Sequence, residues 1–415
     1  MRYREMPNTG DSLSILGFGC MRFPEKGGRI DEVPAEQLVL QAVAAGINYF
    51  DTAFPYHNGQ SETFLGQVLA RNGLRDKVKI ATKLPQWQVK QATDFETCLK
   101  TQLAKLQTEQ IDYYLVHNLT GGSWDRLVSI GIKEWLTQAK QSGRLGHVGF
   151  SFHGTLPDFK RIIEEFDWEF CQIQYNFLDE ENQAGTAGLE FAAARGLGVI
   201  VMEPLRGGNL ARNIPPPVEA LWDQAANRRS PAEWALRWVW NRPEVGLILS
   251  GMTTAEQLAE NVDIAATAAP NALSAKELDL VRQVALTYRR LMKAGCTGCR
   301  YCLPCPYGVD IPYCFELYNN ASMFDQGSRA RFNYLFALGG ILNGVTGYAS
   351  QCKQCGQCLK ACPQHLEIPT LLKAVQRELE RCWTKPMARL AQIFLTRQMN
   401  KMNRQVQMGN RSKTQ

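Results

Sequence analysis

The apolar positions of this chain fall into two regimes. Between residues 13 and 268 short apolar runs recur about thirty residues apart: LSILGFG (13–19), INYFDTA (47–53), VKIATKL (78–84), IDYYLVHN (111–118), GHVGFSF (146–152), CQIQYNF (171–177), GVIVMEP (198–204) and VGLILSG (245–251). Each is rich in Val, Ile, Leu, Phe and Tyr, which suits a strand buried on both faces. Longer stretches with helical spacing separate them. One is 34–46, with Pro34 at its start and Gly46 at its end, and another is 92–106. Eight strands, each followed by a helix, predict a (β/α)8 barrel. Ahead of it, residues 3–17 predict a hairpin turning at Asn8-Thr9-Gly10. A doubly wound open sheet competes, but no G-x-G-x-x-G loop follows the first run.

Beyond residue 273 the pattern changes. Residues 274–295 predict one amphipathic helix capped by Ser274. Two cysteine-rich phrases follow, CTGCRYCLPCP (296–306) and CKQCGQCLKACP (352–363). Their sequels CPYGVDIP (305–312) and CPQHLEIP (362–369) match at Cys, Pro, an aliphatic position, an acid, Ile and Pro. Each closing Pro is placed to begin a helix, so a duplicated, mainly helical module is expected. The uncharged run 332–352 is interrupted by Asn333, Asn343, Thr346, Ser350 and four glycines, which predicts a buried helix and loop rather than a membrane span. The expected organisation is a barrel over 1–273, a linker helix over 274–295, a small helical module over 296–384 and a basic tail over 385–415.

A chain of 415 residues accommodates one barrel-sized domain and one small one. The net charge of +6 is not spread evenly, because residues from Lys385 onward carry seven Lys or Arg and no Asp or Glu. A chain-wide nucleic-acid surface is therefore not expected. The tail suits an acidic partner or an anionic surface. The opening MRYREMPNTG has no apolar core of a secretory signal. Eight of the thirteen cysteines sit in the two phrases, which in a reducing cytoplasm implies metal or cluster ligation rather than disulfides. Cys20, Cys98, Cys171 and Cys382 belong to no motif.

Barrel enzymes carry their chemistry where strands end. At those positions stand Asp51, Lys83 and His117, with Tyr56 in the loop after the second strand. INYFDTAFPYHNGQSE resembles the signature of the aldo-keto reductases, and IATK and YLVH resemble the Lys- and His-bearing strands of that family. The likeness spans roughly residues 3 to 268. It implies a (β/α)8 fold and reduction of a small aldehyde or ketone by NADPH or NADH. Tyr56 is then the general acid, with Lys83 lowering its pKa, Asp51 holding the ammonium and His117 orienting the carbonyl. The resemblance also implies nicotinamide contacts from Ser151 and Gln174, although Phe152 stands where the family commonly has Asn. It implies pyrophosphate contacts from Pro204, Leu205 and Gly207. The adenosine end falls to Gly251, Thr253, Gln257, Glu260 and Asn261, in a loop without the Lys or Arg that phosphate-selecting relatives place there. Phe54, Trp87 and Trp124 are placed to wall a substrate pocket.

The spacing C-x2-C-x2-C-x3-C-P suits a 4Fe-4S cluster, with the last cysteine reaching a second cluster. The two phrases resemble the helical kind of two-cluster ferredoxin domain. The crossed assignment puts Cys296, Cys299 and Cys302 with Cys362 on one cluster, and Cys352, Cys355 and Cys358 with Cys305 on the other. The first phrase is one residue short before Cys305, which makes Cys314 the alternative ligand. Zinc is the competing metal, but overlapping triplets followed by Cys-Pro suit iron better. The two halves together predict an NAD(P)H-dependent reductase carrying two clusters, with an acidic redox partner such as a ferredoxin for the tail. The rival reading is an electron-transfer or redox-sensing protein whose barrel responds to nucleotide.

Overall fold

The computed structural model describes residues 1–212, 214–296, 302–341, 345–362 and 366–394. The eight apolar runs form the parallel strands of a closed barrel: β1 (Leu16–Gly19), β2 (Tyr49–Asp51), β3 (Lys79–Leu84), β4 (Ile111–Leu119), β5 (Leu145–Phe152), β6 (Phe170–Gln174), β7 (Gly198–Met202) and β8 (Val245–Ser250). Strands adjacent in sequence are adjacent in the sheet, and β8 closes onto β1 with Ile248 opposite Leu16 and Ser250 opposite Phe18. A helix follows every strand, among them Glu32–Ala44 after β1 and Ala92–Leu106 after β3. The N-terminal hairpin pairs Tyr3–Glu5 with Ser12–Ser14. Its Met6 side chain lies against Gly198 and Gly246, at the start of β7 and β8.

Strand alternation decides where the rim chemistry points. Tyr49, Ala81, Tyr113, Leu115, Phe170, Ile200, Leu247 and Leu249 fill the barrel interior with Met6 and Leu13. Their neighbours Phe50, Ile80, Tyr114, Val116, Phe150, Phe152, Val199 and Ile248 pack in the surrounding layer. The same parity carries Asp51, Lys83, His117, Ser151 and Gln174 inward at the C-terminal ends of their strands. A one-residue slip would exchange the two sets. Each large side chain turned out of its core would cost about 1.5–3 kcal/mol, so the apolar layers fix the register of the polar rim.

The chain divides into two compact units: Met1–Arg212 with Ala220–Ala285, and Asn213–Glu219 with Leu286–Gln415. The second is helical over its described residues, with helices Ile311–Met323, Gly327–Leu338, Gln357–Ala361 and Ile368–Leu379 and a last helix at 384–394. Pro312 and Pro369 both stand in the first turn of the helix that follows their repeat. Asp310 caps the earlier helix, its side chain accepting from the Tyr313 N–H. Phe315, Tyr334, Leu338, Leu372, Val375 and Leu379 contribute to this unit's core.

The helix expected over 274–295 runs Ala275–Arg290. Ser274 and Glu277 cap it reciprocally, with the Ser274 N–H donating to Glu277 Oε2 at 2.8 Å. It stops short of residue 295, and beyond its end Asn319 takes up both backbone groups of Ala294, at 2.9 and 2.7 Å. The uncharged run holds the end of helix Gly327–Leu338 and a short bridge between Gly339 and Thr346. Among the described residues no helix is long and apolar enough to cross a membrane.

Candidate functional site

Four of the singled-out side chains meet on the barrel rim. Lys83 Nζ donates to Asp51 Oδ1 at 2.6 Å, to the Thr52 carbonyl at 2.9 Å and to the Tyr56 hydroxyl at 3.5 Å. Asp51 and Lys83 are buried. The loop bearing Tyr56 turns sharply through His57 and Asn58, both left-handed with φ of 50° and 55°. His57 Nε2 accepts from the Phe23 N–H at 3.1 Å, and His57 Nδ1 meets Glu25 Oε1 at 2.6 Å, which anchors the turn. His117 approaches edge-to-face, its ring 6.3 Å from that of Tyr56. Trp87 stands on it from another side at 5.1 Å. His117 Nδ1 and Asp51 Oδ2 are buried without a protein partner.

A second polar layer supports Lys83 from behind. Gln102 Nε2 donates to the Lys83 carbonyl at 3.0 Å and to Glu62 Oε1 at 2.8 Å. Glu62 also accepts from Thr82 Oγ1 at 2.7 Å and Lys105 Nζ at 3.2 Å. Thr82 points outward while Lys83 points inward, so one strand is tied on both faces. Sequence reasoning did not single out Glu62 or Gln102; the cue was an acid and an amide at buried helix positions.

Burial sets the proton affinities here. It pulls the Lys83 ammonium down, yet Asp51 and Tyr56 outweigh it and hold Lys83 above its ordinary value. Burial raises the Tyr56 phenol, and Lys83 only opposes this. The expected lowering of Tyr56 is therefore corrected: in this dry setting desolvation is the larger effect. Burial, then Lys83 and His153, hold His117 well below the usual histidine range, so it is neutral. His153 is itself depressed by burial and hydrogen-bonds Gln183.

Of the three aromatic residues expected to wall a pocket, Trp87 does flank His117. Phe54 packs under the Lys105 ammonium at 4.4 Å. Trp124 is a correction, since it is fully buried and its Nε1 donates to Glu165 Oε2 at 2.7 Å. Thr120 caps the helix Gly121–Ser129, and that start turns Trp124 into the core.

The other rim residues differ in how far they are already engaged. Ser151 Oγ accepts from the Asn118 N–H at 2.8 Å. Gln174 Nε2 donates to Asp179 at 2.9 Å, and Gln183 donates to Gln174 Oε1 at 3.3 Å. Phe152 packs outward against Phe159 and offers nothing to the interior. Gln257 Oε1 accepts from the Thr253 N–H at 2.8 Å, Glu260 from Ser230 Oγ at 2.6 Å, and Asn261 donates to Ser250 Oγ at 2.9 Å. Asn176 Nδ2 donates to the Glu203 carbonyl, tying down the loop of Pro204 and Leu205.

The loop after β8 has a cation beside it from the loop after β1, Arg22. A β-carbon on Gly251 would stand 2.9 Å from Arg22 Cδ, and one on Gly207 would stand 3.4 Å from Arg22 Nη2 and 3.5 Å from Glu203 Oε2. The Arg22 carbonyl accepts from Thr253 Oγ1 at 3.1 Å. Gly207 has φ +67°, a left-handed backbone conformation that disfavours any side chain there. Arg206, in the same loop, reaches Asp179 at 3.3 Å while its Nη1 stays buried and unpartnered. Two glycines, the Arg22 guanidinium and the helix start at Ala255 make a setting suited to a phosphate.

In the second unit Cys302, Cys305, Cys352, Cys355 and Cys358 line one cavity of about 150 Å³. Gln354 and Gly356 are left-handed (φ 57° and 76°), which wraps the chain around it, and the Gln354 N–H donates to Cys352 Sγ at 3.4 Å. Burial, with the Cys352, Cys355 and Cys305 sulfurs close by, pushes the Cys358 thiol up. Cys305 from the first phrase thus faces the triplet of the second. Cys314 is fully buried elsewhere, donating to the Gly347 carbonyl at 3.6 Å. Cys302, assigned to the other cluster, borders this cavity too. Cys296 and Cys362 are partly buried beside the unit's core; Cys299 lies outside the described residues. Among the described residues no three Cys, His, Asp or Glu side chains form a ready site for a single ion. Cys20 and Cys171 are core residues, Cys98 is partly buried and Cys382 is exposed.

Known proteins match both halves. The profile described as "Aldo/keto reductase family" covers residues 15–285, and that of the "4Fe-4S dicluster domain" covers 295–366. L-galactose dehydrogenase from Arabidopsis thaliana is 28% identical over 284 residues, 62% of this chain and 86% of the relative. Protein tas from Escherichia coli K12 is 26% identical, over 63% of this chain and 92% of its own. Among solved structures, the aldo-keto reductase AKR11C1 from Bacillus halodurans in its holo form superposes with a TM-score of 0.59 at 26% identity, covering 68% of this chain and 96% of its own. With its barrel, rim and matched residues taken together, the chain belongs to the aldo/keto reductase family and carries a ferredoxin-type 4Fe-4S domain after the barrel.

Proposed function

We propose that the barrel reduces a small aldehyde or ketone to an alcohol with NADPH or NADH, and that the helical unit holds two 4Fe-4S clusters. The observation that carries the first reading is one buried ammonium, Lys83, bonded to both Asp51 and Tyr56 on the rim that His117 faces. A bound nicotinamide would supply the hydride. Tyr56 delivers the proton to the carbonyl oxygen, and Lys83 stabilises the phenolate left behind. Asp51 keeps the ammonium charged. Neutral His117 hydrogen-bonds the same oxygen and sets its angle. Ser151 and Gln174 would meet the nicotinamide end. Pro204, Leu205 and Gly207 would line the pyrophosphate, and Gly251, Thr253, Gln257, Glu260 and Asn261 the adenosine end. Arg22 would supply the positive charge beside a phosphate that Thr253 and Gln257 lack.

For the clusters, Cys352, Cys355 and Cys358 with Cys305 would hold one. Cys296, Cys299 and Cys302 with Cys362 would hold the other. The cysteine-walled cavity and the N–H aimed at Cys352 Sγ support the first set. Such thiols belong in a reducing cytoplasm, and a ferredoxin is a fitting electron partner. Anaerobic purification with iron and sulfide analysis and EPR tests this half; bound zinc, or no iron, defeats it. For the barrel, Tyr56→Phe is expected to abolish NADPH oxidation against a panel of carbonyl compounds while leaving cofactor binding. Persistent turnover would remove Tyr56 from the acid's role.

A further inference from the structure

The helical unit's last described helix, 384–394, packs through a narrow face of small residues: Thr384 and Ala388 are buried and Ala391 partly so. Besides Lys385 and Arg389, its solvent side is apolar. Trp383, Met387, Leu390, Ile393 and Phe394 are all exposed, from 43% for Trp383 to 67% for Leu390. Residues 383, 387, 390 and 394 follow the i, i+4, i+7, i+11 spacing of a single stripe. A β-carbon on Gly339 would touch Ala388, so this helix lies beside the end of helix Gly327–Leu338. That neighbour exposes a second aromatic pair, Phe332 and Phe336, stacked at 6.1 Å. Lone apolar residues on a surface are ordinary; six on two adjacent helices, with Trp383 in the turn before one of them, mark a contact surface.

Charge narrows the choice of what covers it. Lys385 and Arg389 lie on this helix, the chain after it adds Arg397, Lys401, Arg404, Arg411 and Lys413, and no Asp or Glu occurs after residue 384. We propose that this face seats the protein on an anionic lipid surface, with the apolar stripe at the headgroup–acyl boundary and the Lys and Arg side chains among the headgroups. Bulky apolar residues with basic flanks are the composition of a helix that lies in a membrane interface. At eleven residues the described helix is roughly 16 Å long, about half of a bilayer core, so it lies in the plane rather than crossing. An acidic redox protein would meet the charges but leave the stripe unused. A second copy would bring two all-basic segments together, which like-charge repulsion opposes. The proposal does not depend on the carbonyl chemistry.

The test is flotation of the full-length holoprotein with vesicles of phosphatidylcholine alone and of phosphatidylcholine mixed with phosphatidylglycerol. Binding is expected only to the anionic vesicles and is expected to weaken as salt rises. Leu390→Glu with Phe394→Glu is expected to lower the partition by about tenfold or more, since each side chain withdraws a large apolar group. Circular dichroism checks that the variant is folded; if it is not, the single Leu390→Gln variant takes its place in the same flotation, with a smaller loss expected. No flotation of the unmodified protein overturns the proposal. So does unchanged binding by the folded variant, which would mean purely electrostatic docking. A concentration-dependent dimer that the double variant dissolves would give the face to a second copy instead.

Discussion

Lys83 has exchanged water for three oxygens, on Asp51, Thr52 and Tyr56. A buried ammonium with a carboxylate at 2.6 Å stays charged, so the rim holds one fixed positive charge beside a neutral phenol and a neutral imidazole. That arrangement sets a pH dependence. His117 is depressed by burial, so kcat/KM for reduction is expected to show no inflection near the ordinary histidine value of about 6.5. Burial raises Tyr56, so the alkaline limb is expected above about 10. Stability follows the same sign. The unfolded chain takes up protons near pH 6.5 that folded His117 and His153 do not, so unfolding midpoints are expected to fall as pH drops below that value. A clear kcat/KM inflection near 6.5 would contradict a neutral His117. Arg22 carries a separate prediction. Losing a charged hydrogen bond is worth about 1.5–3 kcal/mol, so Arg22→Ala is expected to weaken NADPH binding by roughly tenfold or more, with NADH binding and kcat little changed. Fluorescence titration of both nucleotides reads this, and unchanged affinities would take Arg22 out of the phosphate site.

At the scale of elements, β3 is where fold and chemistry share residues. Its outward Thr82 and the carbonyl of inward Lys83 both feed the layer of Gln102 and Glu62. Glu62→Ala would leave donors on Thr82, Gln102 and Lys105 without their acceptor. The expected cost is about 2–4 kcal/mol, read as a lower urea midpoint by tryptophan fluorescence, together with reduced turnover as Lys83 loses its backing. A Glu62→Gln variant keeps an acceptor and is expected to recover most of the midpoint. The strands themselves were legible because each is a continuous apolar run, and Asp51, Lys83 and His117 were legible because strand ends can be counted. Arg22 was not. Its closeness to Gly251 and Gly207 depends on β8 closing against β1, a contact between residues more than two hundred positions apart that no local spacing encodes. Trp124 was misplaced for a related reason, since a cap at Thr120 turns a loop aromatic into a core helix residue.

For the whole molecule, each compact unit has its own apolar core. The repeat CPYGVDIP and CPQHLEIP was legible as a helix-starting device, and Ile311–Met323 and Ile368–Leu379 begin there. The pairing of Cys305 with the distant triplet rested on the resemblance to two-cluster ferredoxins, and the short spacing before Cys305 left Cys314 in contention. Cys305 borders the cavity, while Cys314 is a core thiol. Separate cores bear on how the chemistries combine. Hydride transfer moves two electrons together, whereas a 4Fe-4S cluster passes one, and no flavin-binding motif is visible in the chain to convert between them. The proposed carbonyl reaction is therefore expected not to draw on cluster electrons. Cys355→Ala, which removes one wall of the cavity, is expected to lower iron content and loosen the helical unit, read as faster amide exchange over Ile368–Leu379. The barrel is expected to keep near-normal NADPH-dependent turnover in the same preparation. Turnover that falls in proportion to lost iron, while the barrel's exchange protection is unchanged, would instead make the clusters part of the electron path and return the protein to the electron-transfer class.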